Sequence, residues 1–412
     1  GLLCGAAFIL VAMVSTVTSY ADLRNRASVG TGFDGVVRVS AGGYYGTGVL
    51  LYDGQAVLTA AHLLANTSDK PLVHFETTAG TQTLSSTSVL VHPGYDSSSN
   101  NDLALVWLSR PAPLSAERYT LYRSADEIGQ VGTLVGYGRP GTGASGAPST
   151  YTGDPIRQKA SNLMEADTAL LKRAYGSALG WTPLPGSQLM ADFDSGQAQT
   201  DALGLFLNIH DLGLGASEGV ITPGDSGGPL FMSGEVAGIA SYSTSLNLNG
   251  HSPDADGVAN GSYGELAVWQ RVGYYEQWVD QNLRKAYANA PTRPEDVQKN
   301  VPEGNSGTSY AYFLVQFTGT RSSPDQVVSV DYSTRDGSAK AGQDYVATTG
   351  VLKLYPGEDH AVVPVEIVGD NLYEPDEVFY LDVTHPVGGS FGQGIVTLTA
   401  MRTIVNDDPS WS

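Results

Sequence analysis

A short turn around Asp225 and Ser226 contains the serine best placed for nucleophilic chemistry. Residues 223–230 read Pro-Gly-Asp-Ser-Gly-Gly-Pro-Leu. Glycines on both sides of the Asp-Ser pair allow a tight, exposed turn, and Gly224 lets the backbone approach a substrate closely because it has no Cβ. A serine hydroxyl is a poor nucleophile at neutral pH and needs a base within hydrogen-bond reach. The turn therefore predicts a nucleophilic Ser226 with partners elsewhere in the chain.

Two other motifs supply those partners. His62 ends the segment Thr-Ala-Ala-His after an apolar run, and Asp102 leads into a strand-like run. Histidine would act as the base and aspartate would orient it, while the backbone N–H groups of Gly224 and Ser226 would bind the oxyanion. The glycines at 224–228 also fit the nucleophile elbow of α/β-hydrolases, but those enzymes carry their acid and histidine after the serine. The order His, Asp, Ser therefore favours the chymotrypsin arrangement over an esterase.

These motifs resemble those of the trypsin-like serine proteases, and the similarity extends over residues 29–288. The resemblance implies an all-β fold with a double β-barrel of the chymotrypsin type and a C-terminal helix. Apolar residues at helical spacing over Tyr274–Tyr287 agree with that helix. Residues 140–219 lack clear alternation, so we expect loops and insertions around a few strands. The implied activity is hydrolysis of peptide bonds without a cofactor.

The resemblance also identifies the residues expected to bind substrate. Val220 corresponds to the base of the primary pocket, where no carboxylate is available to pair with Arg or Lys. Cleavage after small or medium apolar residues is therefore expected. A shift of one or two residues in the comparison would instead put Glu218 at the base. The expected substrate-binding residues are Val220, Ser241, Tyr242, Ser243 and Ala267.

The first 21 residues have the pattern of a secretory signal peptide. An apolar run is followed by small and polar residues that end at Ala21. No Met or basic segment precedes this run, so we expect the sequence to begin within the signal. A transmembrane anchor is the alternative, but the run is shorter than the ~20 residues that a span needs. We expect a secreted or extracellular protein, or one held at the cell envelope, with no stable membrane span after signal removal.

A short propeptide is expected over residues 22–28. In the protease family, cleavage after a basic residue frees an apolar N-terminus, whose ammonium pairs with the aspartate before the nucleophile. That aspartate is Asp225 here. The sequence at Val29 resembles the usual new N-terminus only weakly, so activation by cleavage and activity without it both stay open.

Cysteine usage departs from that of the animal proteases. The only cysteine, Cys4, lies in the predicted signal peptide, so the mature chain can form no intramolecular disulfide. Gly46 and Leu63 stand where the animal members carry two cysteines joined by a disulfide. Both cysteines of that pair are replaced here, so neither is left without its partner. A secreted protein without disulfides depends on the size of its core, which bound metal can supplement.

Length and charge limit the other functions. A chain of 412 residues is long enough for two domains with sizeable cores. The 42 acidic residues outnumber the 22 Lys and Arg residues, which gives a formal net charge of -20. This charge repels nucleic acids and anionic membranes. We therefore predict no nucleic-acid partner.

Residues 301–408 form a second region, after a Pro-containing linker at 289–300. Its motifs include Gln-Asp-Tyr at 343–345, Glu-Pro-Asp-Glu at 374–377 and Asn-Asp-Asp at 406–408. In this order they resemble Calx-beta domains, which are immunoglobulin-like β-sandwiches, some of which bind calcium. Alternating apolar residues with turns between them independently favour a sandwich.

The same resemblance suggests a calcium site, because calcium requires hard oxygen ligands. Gly369 and Asn406 replace two acidic positions, so one site is expected rather than several. A solvated acidic edge without a metal is the alternative. Asp192 and Asp194 also look like the start of a calcium loop, although the later residues do not fit an EF-hand. The expected ligands are Glu303, Asp344, Asp370, Glu374, Glu377, Asp407 and Asp408.

The sequence thus predicts a secreted serine endopeptidase with a calcium-binding or adhesive C-terminal module. Its expected partners are a protein or peptide substrate and, through the Calx-beta region, a cell-surface or matrix component. The competing hypothesis is a catalytically inactive surface interaction protein that uses the protease fold as a scaffold.

Overall fold

The computed structural model of the chain describes residues 25–410. The predicted signal peptide at 1–21, with Cys4, and the first part of the predicted propeptide lie outside the described residues. The chain divides into two compact units. The first contains most residues up to Glu276, and the second contains Gln277 onwards together with the short segments Tyr52–Gln55 and Pro111–Leu114.

The first sheet of the first unit consists of seven antiparallel strands. They are β1 (Val36–Ala41), β2 (Tyr44–Leu50), β3 (Ala56–Thr59), β4 (Leu72–Thr77), β5 (Gly80–Leu84), β6 (Ser86–Val91) and β7 (Ala104–Leu108). The strand order is β5-β4-β1-β2-β3-β7-β6. The short β3 is buried at all four positions. It lies in the interior of this sheet between β2 and β7, and it ends just before the turn that carries His62.

A second seven-stranded antiparallel sheet follows in the same unit. Its strands are β8 (Val131–Gly136), β9 (Gln158–Leu163), β10 (Ala166–Asp167), β11 (Gln188–Asp192), β12 (Pro229–Met232), β13 (Glu235–Thr244) and β14 (Leu266–Arg271). The order is β10-β11-β14-β13-β12-β8-β9. Leu230, Ala240 and Trp269 lie in one buried cluster, and apolar burial of this kind is the main favourable term in folding.

Between residues 25 and 410, three α-helices accompany the sheets, namely α1 (Ala169–Tyr175), α2 (Ala202–Leu207) and α3 (Glu276–Lys285). Short 3-10 helices occur at Ala61–Leu63, Gly176–Ala178, Ala198–Thr200, Gly215–Ser217, Val272–Tyr275 and Pro294–Asp296. The predicted terminal helix begins as the 3-10 turn before α3. Helices α1 and α2 were not expected within residues 140–219. Each has fewer than eight residues, so it depends on tertiary packing, and Leu171 and Leu203 share a buried cluster.

The second unit is the predicted sandwich. Its strands are β15 (Asn300–Pro302), β16 (Thr308–Gln316), β17 (Val328–Asp336), β18 (Thr349–Leu354), β19 (His360–Val368), β20 (Glu377–Val387) and β21 (Thr397–Val405). Five strands in the order β15-β21-β20-β17-β18 form one sheet, and β16 pairs with β19 in the other. Phe313, Tyr345 and Phe379 are buried together, and the last two rings stack with their centroids 4.5 Å apart.

Candidate active site

His62 and Asp102 lie side by side because two neighbouring strands of the first sheet carry them. His62 lies in the 3-10 turn after β3, and Asp102 precedes β7, which pairs with β3. Asp102 is buried, and its Oδ1 accepts a hydrogen bond from the His62 backbone N–H at 2.8 Å. The His62 Nδ1 lies 2.8 Å from Asp102 Oδ2. A carboxylate only accepts, so this contact keeps the proton on Nδ1 and leaves Nε2 as the acceptor that a general base requires.

Ser241 also contacts this pair. Its hydroxyl donates a 2.6 Å hydrogen bond to Asp102 Oδ2 and accepts one from Gln270 Nε2 at 3.2 Å. The role of Ser241 in binding substrate stays a prediction, and its side chain is directed at the aspartate. A serine buried within β13 needs a hydrogen-bond partner. The sequence could therefore indicate that Ser241 needs a partner, but it could not identify Asp102 as that partner.

The Ser226 turn is held next to His62 by the first sheet. The Ser226 carbonyl accepts a hydrogen bond from the Thr47 N–H at 2.8 Å, and the Thr47 hydroxyl donates to the Gly224 carbonyl at 2.8 Å. Gly227 has φ 85°, and a Cβ there would collide with the Thr47 carbonyl and the Thr59 hydroxyl. Glycine at 227 is therefore required for Ser226 to lie against β2 and β3.

Within the described part of the chain, the Ser226 hydroxyl and the predicted oxyanion donors are free of hydrogen bonds. Among residues 25–410, the N–H groups of Gly224 and Ser226 donate to no described acceptor, and the Ser226 hydroxyl forms no hydrogen bond with His62. Catalytic contacts of this kind often tighten only when substrate is bound. The N–H groups of Gly224 and Ser226 lie on either side of the turn residue Asp225, and their binding of an oxyanion stays a prediction.

Asp225 is stabilised by neighbouring backbone groups. Its Oδ1 accepts from the Gly138 N–H at 2.8 Å, and its Oδ2 accepts from the Thr222 N–H at 2.8 Å. A Cβ on Gly136 or Gly138 would collide with these oxygens. Val29 is exposed, and Ala27 just before it donates to the Arg157 carbonyl. The buried carboxylate thus has hydrogen-bond donors in a chain that is not cleaved before Val29.

Gly46 and Leu63, predicted at the position of an absent disulfide, are in contact. A Cβ on Gly46 would collide with Leu63 Cδ1 and would lie 2.7 Å from the Ser226 carbonyl oxygen. The leucine side chain thus occupies the space beside Gly46. This packing brings the His62 turn against the Ser226 turn without a covalent bond.

The predicted pocket residues lie on or beside the second sheet. Val220 and Ala267 share its buried cluster, and Ser243 pairs with Ala267 across β13 and β14. The Tyr242 hydroxyl donates to Gln188 Oε1 at 2.6 Å and accepts from Trp181 Nε1. These contacts hold the tyrosine ring against the interior of the unit.

Glu218, the alternative pocket residue, is buried and its carboxylate is already hydrogen-bonded. It accepts from the N–H groups of Asp194 and Leu214, at 2.8 and 2.6 Å. Burial raises the pKa of Glu218 to about 8. Both of its oxygens are therefore engaged with the 194–214 region of the chain.

The seven predicted calcium ligands lie at one end of the second unit. Ligand atoms of Glu303, Asp407 and Asp408 lie within 4.8 Å of one another, as do those of Asp344, Glu374 and Glu377. Burial, strengthened by the charge of Asp370, raises the pKa of Glu303 to about 7. Asp370 is in neither group, and its Oδ1 accepts from the Leu372 N–H. The structure thus gathers six of the predicted ligands into two groups.

Two family models match separate parts of the chain. Residues 25–176 match the family model described as Trypsin, and residues 309–408 match the model described as Calx-beta domain. In the structural comparison, neuropsin, a serine protease expressed in the limbic system of mouse brain, is 20% identical with a TM-score of 0.45. That alignment covers 63% of this chain and 98% of that chain.

Curated relatives match part of the chain. The sodium/calcium exchanger Calx of Drosophila melanogaster is 38% identical over 80 residues, which are 19% of this chain and 8% of that protein. Human sodium/calcium exchanger 2 is 29% identical over 153 residues, which are 31% of this chain and 17% of that protein. The chain therefore spans less than a fifth of the length of these relatives.

The chain thus combines a trypsin-like serine protease fold with a C-terminal Calx-beta domain. The predicted fold class, two chymotrypsin-type barrels with a C-terminal helix followed by an immunoglobulin-like sandwich, is confirmed. Within residues 25–410, no helix is both long enough and apolar enough to cross a bilayer.

Proposed function

We propose that this protein is a secreted serine endopeptidase that uses His62, Asp102 and Ser226. The observation that carries the proposal is the His62–Asp102 pair. The buried carboxylate accepts from both the backbone and the ring of His62, and this fixes the tautomer that a general base needs. A scaffold without activity has no need for that orientation beside a serine turn.

In the proposed reaction, His62 Nε2 takes the proton from the Ser226 hydroxyl as its oxygen attacks the scissile carbonyl. The carbonyl oxygen gains the negative charge and accepts from the N–H groups of Gly224 and Ser226. His62 then returns the proton to the leaving amine, and the acyl-enzyme forms as the C–N bond breaks. Water, deprotonated by His62, releases the acid and restores Ser226.

The proposed substrates present a small or medium apolar side chain on the acyl side of the scissile bond. Val220 is buried among apolar neighbours, and the carboxylate of Glu218 already accepts two hydrogen bonds. A lysine or arginine entering this pocket would lose its hydration without gaining a partner. Cleavage after Ala, Val or Leu is thus favoured.

The C-terminal domain is proposed to bind calcium and to contact a cell-surface or matrix partner outside the cell. Its gathered carboxylates supply the hard oxygen ligands that calcium prefers. The relatives that share this domain are sodium/calcium exchangers by name. The protease chemistry itself is proposed to require no metal.

Hydrolysis of a peptide library by the full-length protein tests this function. We expect cleavage after Ala, Val or Leu in mass spectra, and no cleavage by Ser226→Ala. Cleavage that persists in this variant would contradict the assigned nucleophile. A folded native protein that cleaves no peptide would favour the inactive scaffold, and cleavage mainly after Lys or Arg would overturn the assigned pocket.

A further inference from the structure

A group of buried carboxylates in the first unit is not used by the proposed protease chemistry. Ligand atoms of Asp192, Asp194 and Asp201 lie within 4.8 Å of one another, and so do those of Glu165, Asp194 and Asp211. Because Asp194 belongs to both groups, the five side chains adjoin. They come from β11, from the loops that follow it, and from the residue before β10.

The second observation concerns individual oxygen atoms. Glu165, Asp192 and Asp194 are 8%, 0% and 5% exposed. One buried oxygen of each, Glu165 Oε1, Asp192 Oδ1 and Asp194 Oδ1, has no hydrogen-bond partner. A buried charged group without a partner costs much of its hydration energy, so such atoms are rare in native proteins. Three such atoms on adjoining side chains indicate a missing ligand.

Basic side chains in the described part of the chain do not pair with these carboxyl groups. Among the described residues, no Lys or Arg forms a salt bridge with Glu165, Asp192 or Asp194. His210 contacts Asp201 Oδ2 at 3.1 Å, and the other oxygen of Asp201 caps helix α2 through the Gly204 N–H. Within residues 25–410, no basic side chain therefore balances the carboxyl groups of Glu165, Asp192 and Asp194.

We propose that Glu165, Asp192 and Asp194 bind a calcium ion within the protease unit, with Asp211 at its edge. The donor set is entirely carboxylate oxygen, which suits calcium or magnesium rather than zinc. Magnesium usually keeps several of its waters, whereas calcium accepts many protein oxygens in flexible geometry. The buried setting therefore favours calcium.

The ion would stabilise the part of the sheet behind the proposed specificity pocket. Strand β11 pairs with β14, with Ala191 opposite Ala267 and Asp192 opposite Leu266. A cation that gathers Asp192 with Asp194 and Glu165 would hold β11, and thereby the strand that carries Ala267. Its role is structural and does not depend on the proposed peptidase activity.

Calcium binding to the full-length protein tests the proposal. Equilibrium dialysis should give one fewer bound ion per chain for Asp194→Asn than for the native protein, and one fewer for Glu165→Gln. Asp69→Asn, which changes an exposed carboxylate of the same unit, should bind the native number. In chelator, Asp194→Asn should melt above the native protein because one uncompensated buried charge is removed.

Two results would overturn the proposed calcium site. If both variants fold and bind as many calcium ions as the native protein, the site does not exist. If Asp194→Asn instead melts below the native protein in chelator with an unchanged calcium count, the carboxyl groups are held as protonated acids that share hydrogen bonds. The second variant at Glu165 covers the case in which substitution of Asp194 prevents folding.

Discussion

The Ser241 hydroxyl and the His62 ring meet at one atom, Asp102 Oδ2, to which Ser241 donates at 2.6 Å. Asp102 is thus held from two sides, by the ring and backbone of His62 and by the neighbouring sheet. A carboxylate fixed in this way keeps the imidazole oriented throughout the proton transfers. Ser241 is therefore a positioning residue.

Ser241→Ala should lower kcat about 10-fold, because a hydrogen bond to a charged group is worth roughly 1.5–3 kcal/mol and part of it is replaced by rearrangement. KM should stay nearly constant, and Ser241→Thr, which keeps a hydroxyl, should recover most of the activity. Steady-state kinetics on one peptide distinguishes a positioning role for Ser241 from a role in substrate binding. A rise in KM with unchanged kcat would instead mean that Ser241 acts in substrate binding.

Gly46→Ala should reduce both stability and activity. Its Cβ would collide with Leu63 and press on the Ser226 carbonyl oxygen. Adding Leu63→Ala should restore part of the stability, because it removes only the side-chain collision, while activity stays low. Thermal melts and peptide hydrolysis of the single and double variants measure this coupling. Full recovery of activity in the double variant would show that the contact with Ser226 is unimportant.

Much of this site could be predicted because its residues stand in local motifs. The motifs that singled out His62 and Asp102 lie on paired strands, and the structure brings both side chains together. The Ser241 contact with Asp102 joins residues 139 positions apart, and no local pattern encodes such a partner. Long-range packing decides that contact.

The same limit applies to the acidic group of the first unit. The spacing of Asp192 and Asp194 was visible in the sequence, but Glu165 reaches them only because the strands after it fold back. Helices α1 and α2 were missed for a related reason. Both are too short to be stable alone, and buried contacts decide their conformation.

Glu265→Gln should flatten the pH dependence of stability. Burial raises the pKa of Glu265 to about 7, so above its unfolded pKa of ~4.3 the folded protein binds more protons than the unfolded chain. This carboxyl therefore lowers the free energy of unfolding as the pH rises from about 4.5 to about 7. Denaturant melts of both proteins across this window measure it. Parallel curves would mean that Glu265 is ionised at little cost.

Calcium should raise the melting temperature of the C-terminal domain, and Asp407→Asn should reduce that rise. At ten times the dissociation constant, binding is worth about 1.4 kcal/mol. Calorimetry of the full chain with calcium and with chelator makes the comparison. Asp325→Asn, at an exposed carboxylate of the same unit, serves as the control. Equal calcium effects in native protein and Asp407→Asn would support a solvated acidic edge.

Covalent labelling of Ser226 tests the central claim most directly. A fluorophosphonate reacts only with a serine that a base activates, and the label can be located by peptide mass spectrometry. We predict stoichiometric labelling of Ser226 in the native protein, greatly slowed labelling in His62→Ala and none in Ser226→Ala. A folded native protein that leaves Ser226 unlabelled, or labelling as fast in His62→Ala as in the native protein, would contradict the proposed triad.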